Sequence, residues 1–237
     1  MHTNVNRAAI VSGTPAELVP VPVFRRTALV AGVLYLLTFV SIPTLELYKS
    51  IHVPDYITGP GRNNAAIMGG LLEIIVALAG IATAITLYPV LRKQSESLAL
   101  GLVASRILEA GTMFVGVAFI LSAVTLKQTG ALAPGHAFVT LYDRIFLLGQ
   151  SCIPALNDLL LGFLLYQSRI VPRALSLIGI IGAFPLIAGY IAVLFGVIGQ
   201  HDLLAGLAAL PVAIFEFSLG IYLIVKGFRP AVITADK

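Results

Sequence analysis

The 237-residue chain is 58% hydrophobic and only 11% charged, less than half of the roughly 25% that a soluble domain uses to cover its surface. An exterior that apolar is stable only against hydrocarbon, so a soluble globular protein is excluded and the lipid bilayer is the expected solvent. The net charge of +4 does not mark a nucleic-acid partner, because the basic residues sit in pairs at the ends of apolar runs, and the single cysteine, Cys152, excludes a disulfide framework or a multi-cysteine metal site.

Residues 1–22 carry Pro15, Pro20 and Pro22 among small and polar residues and read as a flexible cytoplasmic tail. Arg25 and Arg26 then precede the first of six apolar runs, at 27–48, 65–91, 98–126, 145–167, 174–198 and 203–225. Each reaches the ~20 residues that cross a ~30 Å hydrocarbon core at ~1.5 Å per residue. A membrane strand would alternate over only ~9–11 residues. The expected fold is therefore an all-α integral membrane bundle of six helices over residues 23–229, followed by a short cytoplasmic tail at 230–237. The first run, with its basic flank, suits an uncleaved signal anchor better than a cleaved signal peptide, whose apolar core would be ~7–15 residues.

Basic residues near the span ends set the orientation. One side gathers Arg25, Arg26, Arg92, Lys93, Arg169, Arg173, Lys226 and Arg229, against Lys49, Arg62, Lys127 and Arg144 on the other. This bias places both termini in the cytoplasm of a cell (inner or plasma) membrane protein. Tyr88, Tyr166 and Tyr222 on the inner side and Tyr48, Tyr56 and Tyr142 on the outer side are expected to supply an aromatic belt, the chain having no tryptophan. Short inner loops make the second and third spans, and the fourth and fifth, antiparallel neighbours. Spans two, four and six each carry an acid, then a tyrosine, then a basic residue, a faint trace of a duplicated helix pair.

Five ionisable side chains fall inside the spans: Glu73, Arg106, Glu109, Asp158 and Glu216. Each would cost ~2.5–3.5 kcal/mol charged at a helix centre facing lipid, so all should face the bundle interior at a comparable depth and satisfy one another. Arg106 and Glu109 are spaced for an i,i+3 pair on one helix. Four acids against one guanidinium require protonation, a bound cation or a ligand amine. The fourth span is the most polar, with Gln150, Ser151, Asn157 and Asp158, and Pro154 removes a backbone donor one turn before Asp158. Glu73, Arg106, Glu109, Asn157, Asp158 and Glu216 form the candidate ligand-binding set, and no catalytic residue is assigned. Gly179, Gly182 and Gly189 in the fifth span permit close helix approach. His52, His136 and His201, with Asp55, Asp143 and Asp202 near them in sequence, could gather a divalent metal on the outer side, but without an i,i+3 or i,i+4 histidine pair they read as solvated loop residues, and no metal and no cofactor are expected.

The stretches "RRTALVAGVLYLLTFV", "GGLLEIIVALAGIATAITLYPVLRKQSESLALGLVASRILEAG", "LNDLLLGFLLYQSRIVPRALSLIGIIGAF" and "IYLIVKGFRP" resemble the bacterial membrane proteins grouped as DUF4386. The resemblance covers nearly the whole chain after residue 22. Its most specific pieces are Glu73, the R-x-x-E of Arg106 and Glu109, and the "LLYQSRIVPRALSLIG" hinge. It implies a six-helix membrane protein and no activity. The leading functional expectation is a polar intramembrane site that binds or transports a proton, a cation or a small amine-bearing or lipidic molecule, with membrane lipids around it and a homo-oligomer needed for transport by so few spans. The alternatives are an accessory or assembly subunit whose buried charges are structural and, with least support, an intramembrane enzyme.

Overall fold

A computed structural model describes residues 21–53, 56, 63–128 and 132–229. The expected tails at 1–22 and 230–237 lie outside these, except that Val21 and Pro22 open the first helix. The elements are α1 (Val21–Thr38), α2 (Ile42–Leu47), α3 (Asn63–Leu91), α4 (Glu96–Gln128), α5 (Leu132–Gly149), α6 (Ile153–Ser168), α7 (Arg173–Leu194) and α8 (Leu203–Val225), with 3-10 turns at Phe39–Ser41 and Tyr48–His52. Six segments are long and apolar enough to cross a membrane, α5 and α6 together making one of them. The chain is an all-α, six-span membrane bundle.

The fourth span differs from expectation. It begins at Gly135, not 145, and is broken in the middle: α5 ends at Gly149 and α6 starts at Ile153, with Pro154 in its first turn. The polar residues Gln150 and Ser151 lie in this break, where both their backbone N–H groups turn back to the Phe146 carbonyl, at 2.8 and 3.2 Å. Pro154 sits in the first turn of α6, where backbone N–H groups have no intrahelical acceptor, so its missing N–H breaks no helical hydrogen bond.

The spans form a closed ring in sequence order. α1 packs on α3, α3 on α4, α4 on α5 and α6, α6 on α7, α7 on α8, and α8 returns to α1. Near the termini the ring is fastened by Arg25, whose guanidinium donates to the Leu223 and Ile224 carbonyls at 3.3 and 2.8 Å, satisfying backbone acceptors that the end of α8 leaves open. The Arg229 N–H donates to the Ile170 carbonyl at 2.8 Å. Large apolar side chains such as Leu78, Leu108, Ile181 and Phe184 point outward and are more than half exposed, as lipid-facing positions require.

Closure depends on α7 and α8 approaching backbone to backbone. A methyl group at Gly182 would stand 2.9 Å from Pro211 Cβ and 3.2 Å from the Val212 nitrogen; at Gly179 it would strike the Phe215 ring, and at Gly189 the Ala208 Cβ. Gly182→Leu should therefore destabilise the bundle by about 1–3 kcal/mol through overpacking. The measurement is the melting temperature of the detergent-solubilised variant against the parent. Equal values would show that the two helices separate without cost.

Candidate functional site

Arg106 sits on α4, ten residues or about 15 Å beyond Glu96 along the helix axis, and is buried. Its Nη1 donates to Glu109 Oε2 at 3.0 Å, the pair expected from their spacing. Its Nη2 reaches Glu216 Oε1 on α8 at 2.5 Å and the Tyr35 hydroxyl on α1 at 3.5 Å. Glu109 Oε2 also accepts from Asn157 Nδ2 on α6 at 2.8 Å. Four helices thus meet at one guanidinium, and two carboxylates flank it.

Asp158, beside Asn157 on α6, is fully buried and interacts electrostatically with Glu216, Arg106 and Glu109. Neither of its oxygens has a hydrogen-bond partner, nor do Asn157 Oδ1, Ser105 Oγ and Ser176 Oγ. An unpartnered buried carboxyl is costly whichever protonation state it holds. The cluster therefore contains three carboxyl groups, one guanidinium and unused acceptor oxygens on Asp158 and Asn157.

Glu73 belongs elsewhere. Its Oε1 accepts from the Tyr142 hydroxyl of α5 at 2.7 Å, and Tyr48 and Gln150 flank the same carboxylate. Tyr48 packs edge-on against Tyr142, ring centroids 5.2 Å apart. α3 approaches Arg106 at Gly80, whose added methyl would lie 3.9 Å from Arg106 Cδ. That is two helical turns, about 10 Å, from Glu73. The expectation of five groups at one depth is thus corrected to two separate clusters, since the i,i+7 offset along α3 carries Glu73 away from the guanidinium.

Three further placements depart from the sequence reading. Tyr48, Tyr56 and Tyr142, expected in an interfacial belt, are buried. Tyr48 can lie over α3 because Gly69 presents no side chain to its ring. Tyr35 belongs to no motif, yet a tyrosine in the middle of an apolar run, far from either interface, is itself a signal of a buried partner. The loop residues also converge: His52 Nε2 lies 2.9 Å from Asp143 Oδ1, and the rings of His52 and His201 meet edge to face at 5.2 Å. The Asp143 hydrogen bond, helped by the Tyr48 carbonyl and opposed by partial burial, raises the His52 pKa above the ordinary histidine value. His136 and Asp143 stand on α5 rather than in a loop, and Asp55 lies outside the described residues.

With the geometry in place, comparison with known proteins gives one match. The sequence profile described as "Domain of unknown function (DUF4386)" covers residues 30–227. The chain belongs to the DUF4386 family. No curated protein matches it, and no solved structure does either. In this DUF4386 protein the meaning of the site must be drawn from its own chemistry.

Deleting one partner of a buried ion pair costs about 3–5 kcal/mol, because the other is left charged in a medium that cannot solvate it. Arg106→Ala should therefore lower the melting temperature sharply, and adding Glu109→Ala or Glu216→Ala should recover part of the loss. Double-mutant cycles on the purified protein measure this coupling. Purely additive losses for both acids would mean that the guanidinium contributes no pairing energy with either.

Proposed function

We propose that the Arg106 cluster is an intramembrane binding site for a proton or a small cation, including one carried as an amine, and that Asp158 is the group that receives it. The carrying observation is the Asp158 carboxyl: fully buried, with no donor on either oxygen, beside a guanidinium already shared between Glu109 and Glu216. One positive charge among three carboxyls leaves room for up to two more, and intramembrane acids that lack a protein partner mark ion and substrate sites by default. The break between α5 and α6 supports the reading, because interrupted helices at membrane depth occur where backbone lines a site rather than lipid. In this reading the protein lies in the cell membrane with both termini cytoplasmic, as its basic residues favour, and moves its ligand as an oligomer.

A second reading has its own support. Arg106, Glu109, Glu216, Asn157 and Tyr35 already form a hydrogen-bonded network across four helices, and such a network can serve only to fix packing in an assembly subunit.

The two readings separate on Asp158→Asn, which keeps the volume and removes the charge. In lipid nanodiscs the parent should melt higher as pH falls, since a native state that takes up a proton binds more of them than the unfolded chain does, or higher on adding sodium or methylammonium. The variant should fold normally and lose that response. A parent whose melting is insensitive to pH and to both cations, or an Asp158→Asn protein as damaged as Arg106→Ala, would assign the cluster to packing alone.

Orientation has its own check. Reporter fusions at Lys93, Arg169 and Lys237 should all report cytoplasm, and a fusion at Gln200 should report the opposite side; a cytoplasmic Gln200 would invert the arrangement.

A further inference from the structure

We propose that His52, Asp143 and His201 form a binding site for a divalent transition-metal ion of the zinc class, at the end of the bundle away from the termini. This site is separate from the Arg106 cluster, and the proposal does not rest on what that cluster binds.

The three residues come from distant parts of the chain: His52 from the 3-10 turn after α2, Asp143 from α5, and His201 from the segment joining α7 to α8. One ligand atom from each lies within 4.8 Å of the other two. Atoms bound to one tetrahedral zinc at about 2.0–2.2 Å stand about 3.3 Å apart, so small side-chain rotations bring all three onto one ion. His201 is exposed and free to make that adjustment.

The surroundings are those of a metal-binding imidazole. His52 Nδ1 lies 2.9 Å from the Tyr48 carbonyl, the backbone contact that orients a ligating histidine and leaves Nε2 as the coordinating nitrogen. That Nε2 faces Asp143 Oδ1 at 2.9 Å. With Nδ1 held by the backbone, Nε2 and the Asp143 carboxylate face each other, and a divalent ion placed between them would be bound by both. The Gln200 side chain donates to the Asp143 carbonyl at 3.3 Å, which holds the segment bearing His201 over α5. His201 and Asp143 also border an open pocket of about 620 Å³, so a water or a small ligand can complete the coordination. Two imidazoles and one carboxylate favour zinc and its transition-metal neighbours over calcium or magnesium, which prefer all-oxygen sites.

The test uses the full-length protein, free of any histidine tag, stripped with chelator and held in nanodiscs. Titration with zinc should show one site per chain and a raised melting temperature, and cobalt in its place should give the visible d–d absorption of a low-symmetry site. His201→Ala, at an exposed position, and Asp143→Asn should each weaken binding by about tenfold or more, since even the loss of an outer partner costs 10–100-fold. His136→Ala, on an exposed position of α5 outside the trio, should bind as the parent does. The proposal fails if the parent binds no stoichiometric zinc, if magnesium stabilises it equally, or if His201→Ala and Asp143→Asn retain parental affinity.

Discussion

A single guanidinium crosses the middle of the ring. Helices arranged α1, α3, α4, α6, α7, α8 and back to α1 touch their neighbours, and neighbour packing alone leaves the rotation of each helix about its own axis loosely set, because lipid is as apolar as the side chains it would replace. Arg106 removes that freedom. It starts on α4 and bonds to Glu216 on α8, the opposite side of the ring, while Tyr35 on α1 lies against it and Asn157 on α6 ties to the same network through Glu109. Rotating any of these helices outward would leave a charged or polar group in hydrocarbon, at a cost of several kcal/mol. The inward stripe of each of these four helices is therefore fixed by polarity, and the apolar remainder faces lipid by default.

The broken fourth span is fitted to the same centre. Gly149, the last residue of α5, sits so close to Thr112 on α4 that it has no room for a side chain, and the Thr112 hydroxyl donates to the Glu109 carbonyl at 2.6 Å. The interruption thus falls one turn from the carboxylate that Arg106 holds. Restarting the helix at Ile153 turns Asn157 toward Glu109 and buries Asp158 next to it. An uninterrupted helix would carry the residues beyond Gly149 around a different face, so the break and the placement of the two polar residues belong together.

The six spans and the candidate polar residues were legible in the sequence, because a run of some 20 apolar residues has one stable environment and a charge within it has few. What was not legible is what needs three dimensions. Residues 132–144 contain His136, Thr140, Asp143 and Arg144, too polar to read as membrane helix, yet α5 extends through them because it packs along α4 rather than against lipid alone. Tyr48 and Tyr142 stand at the span ends where interfacial tyrosines usually sit, and nothing local records that Gly69 opens a place for one of them. A residue's depth follows from its distance to the span ends only when the span is no longer than the membrane, and α3, at 29 residues, is long enough to displace Glu73 by two turns. The His52, Asp143, His201 convergence is invisible for a related reason: positions 91 and 58 residues apart in the chain meet only once the ring has closed.

Those far-end residues are not independent of the interior. Asp143 follows Tyr142, whose hydroxyl bonds Glu73, and His52 is anchored to the carbonyl of Tyr48, whose ring lies against Tyr142. A constraint that draws His52 and Asp143 together therefore acts on both tyrosines that cover Glu73, and through Gln200 on the segment between α7 and α8. Along α3, Glu73 stands two turns from Gly80, the residue that approaches Arg106, and Gln150 at the helix break flanks Glu73 while the helix that restarts beyond it carries Asn157 to Glu109. The polar groups of this bundle consequently form two centres joined by the interrupted helix. The one nearer the termini is deficient in hydrogen-bond donors, and the other is capped by Tyr142, which precedes Asp143, and by Tyr48, one turn before His52. A short covalent and hydrogen-bonded path links the two centres, and the break at Gln150–Cys152 is the part of that path that is not held by continuous helical hydrogen bonds.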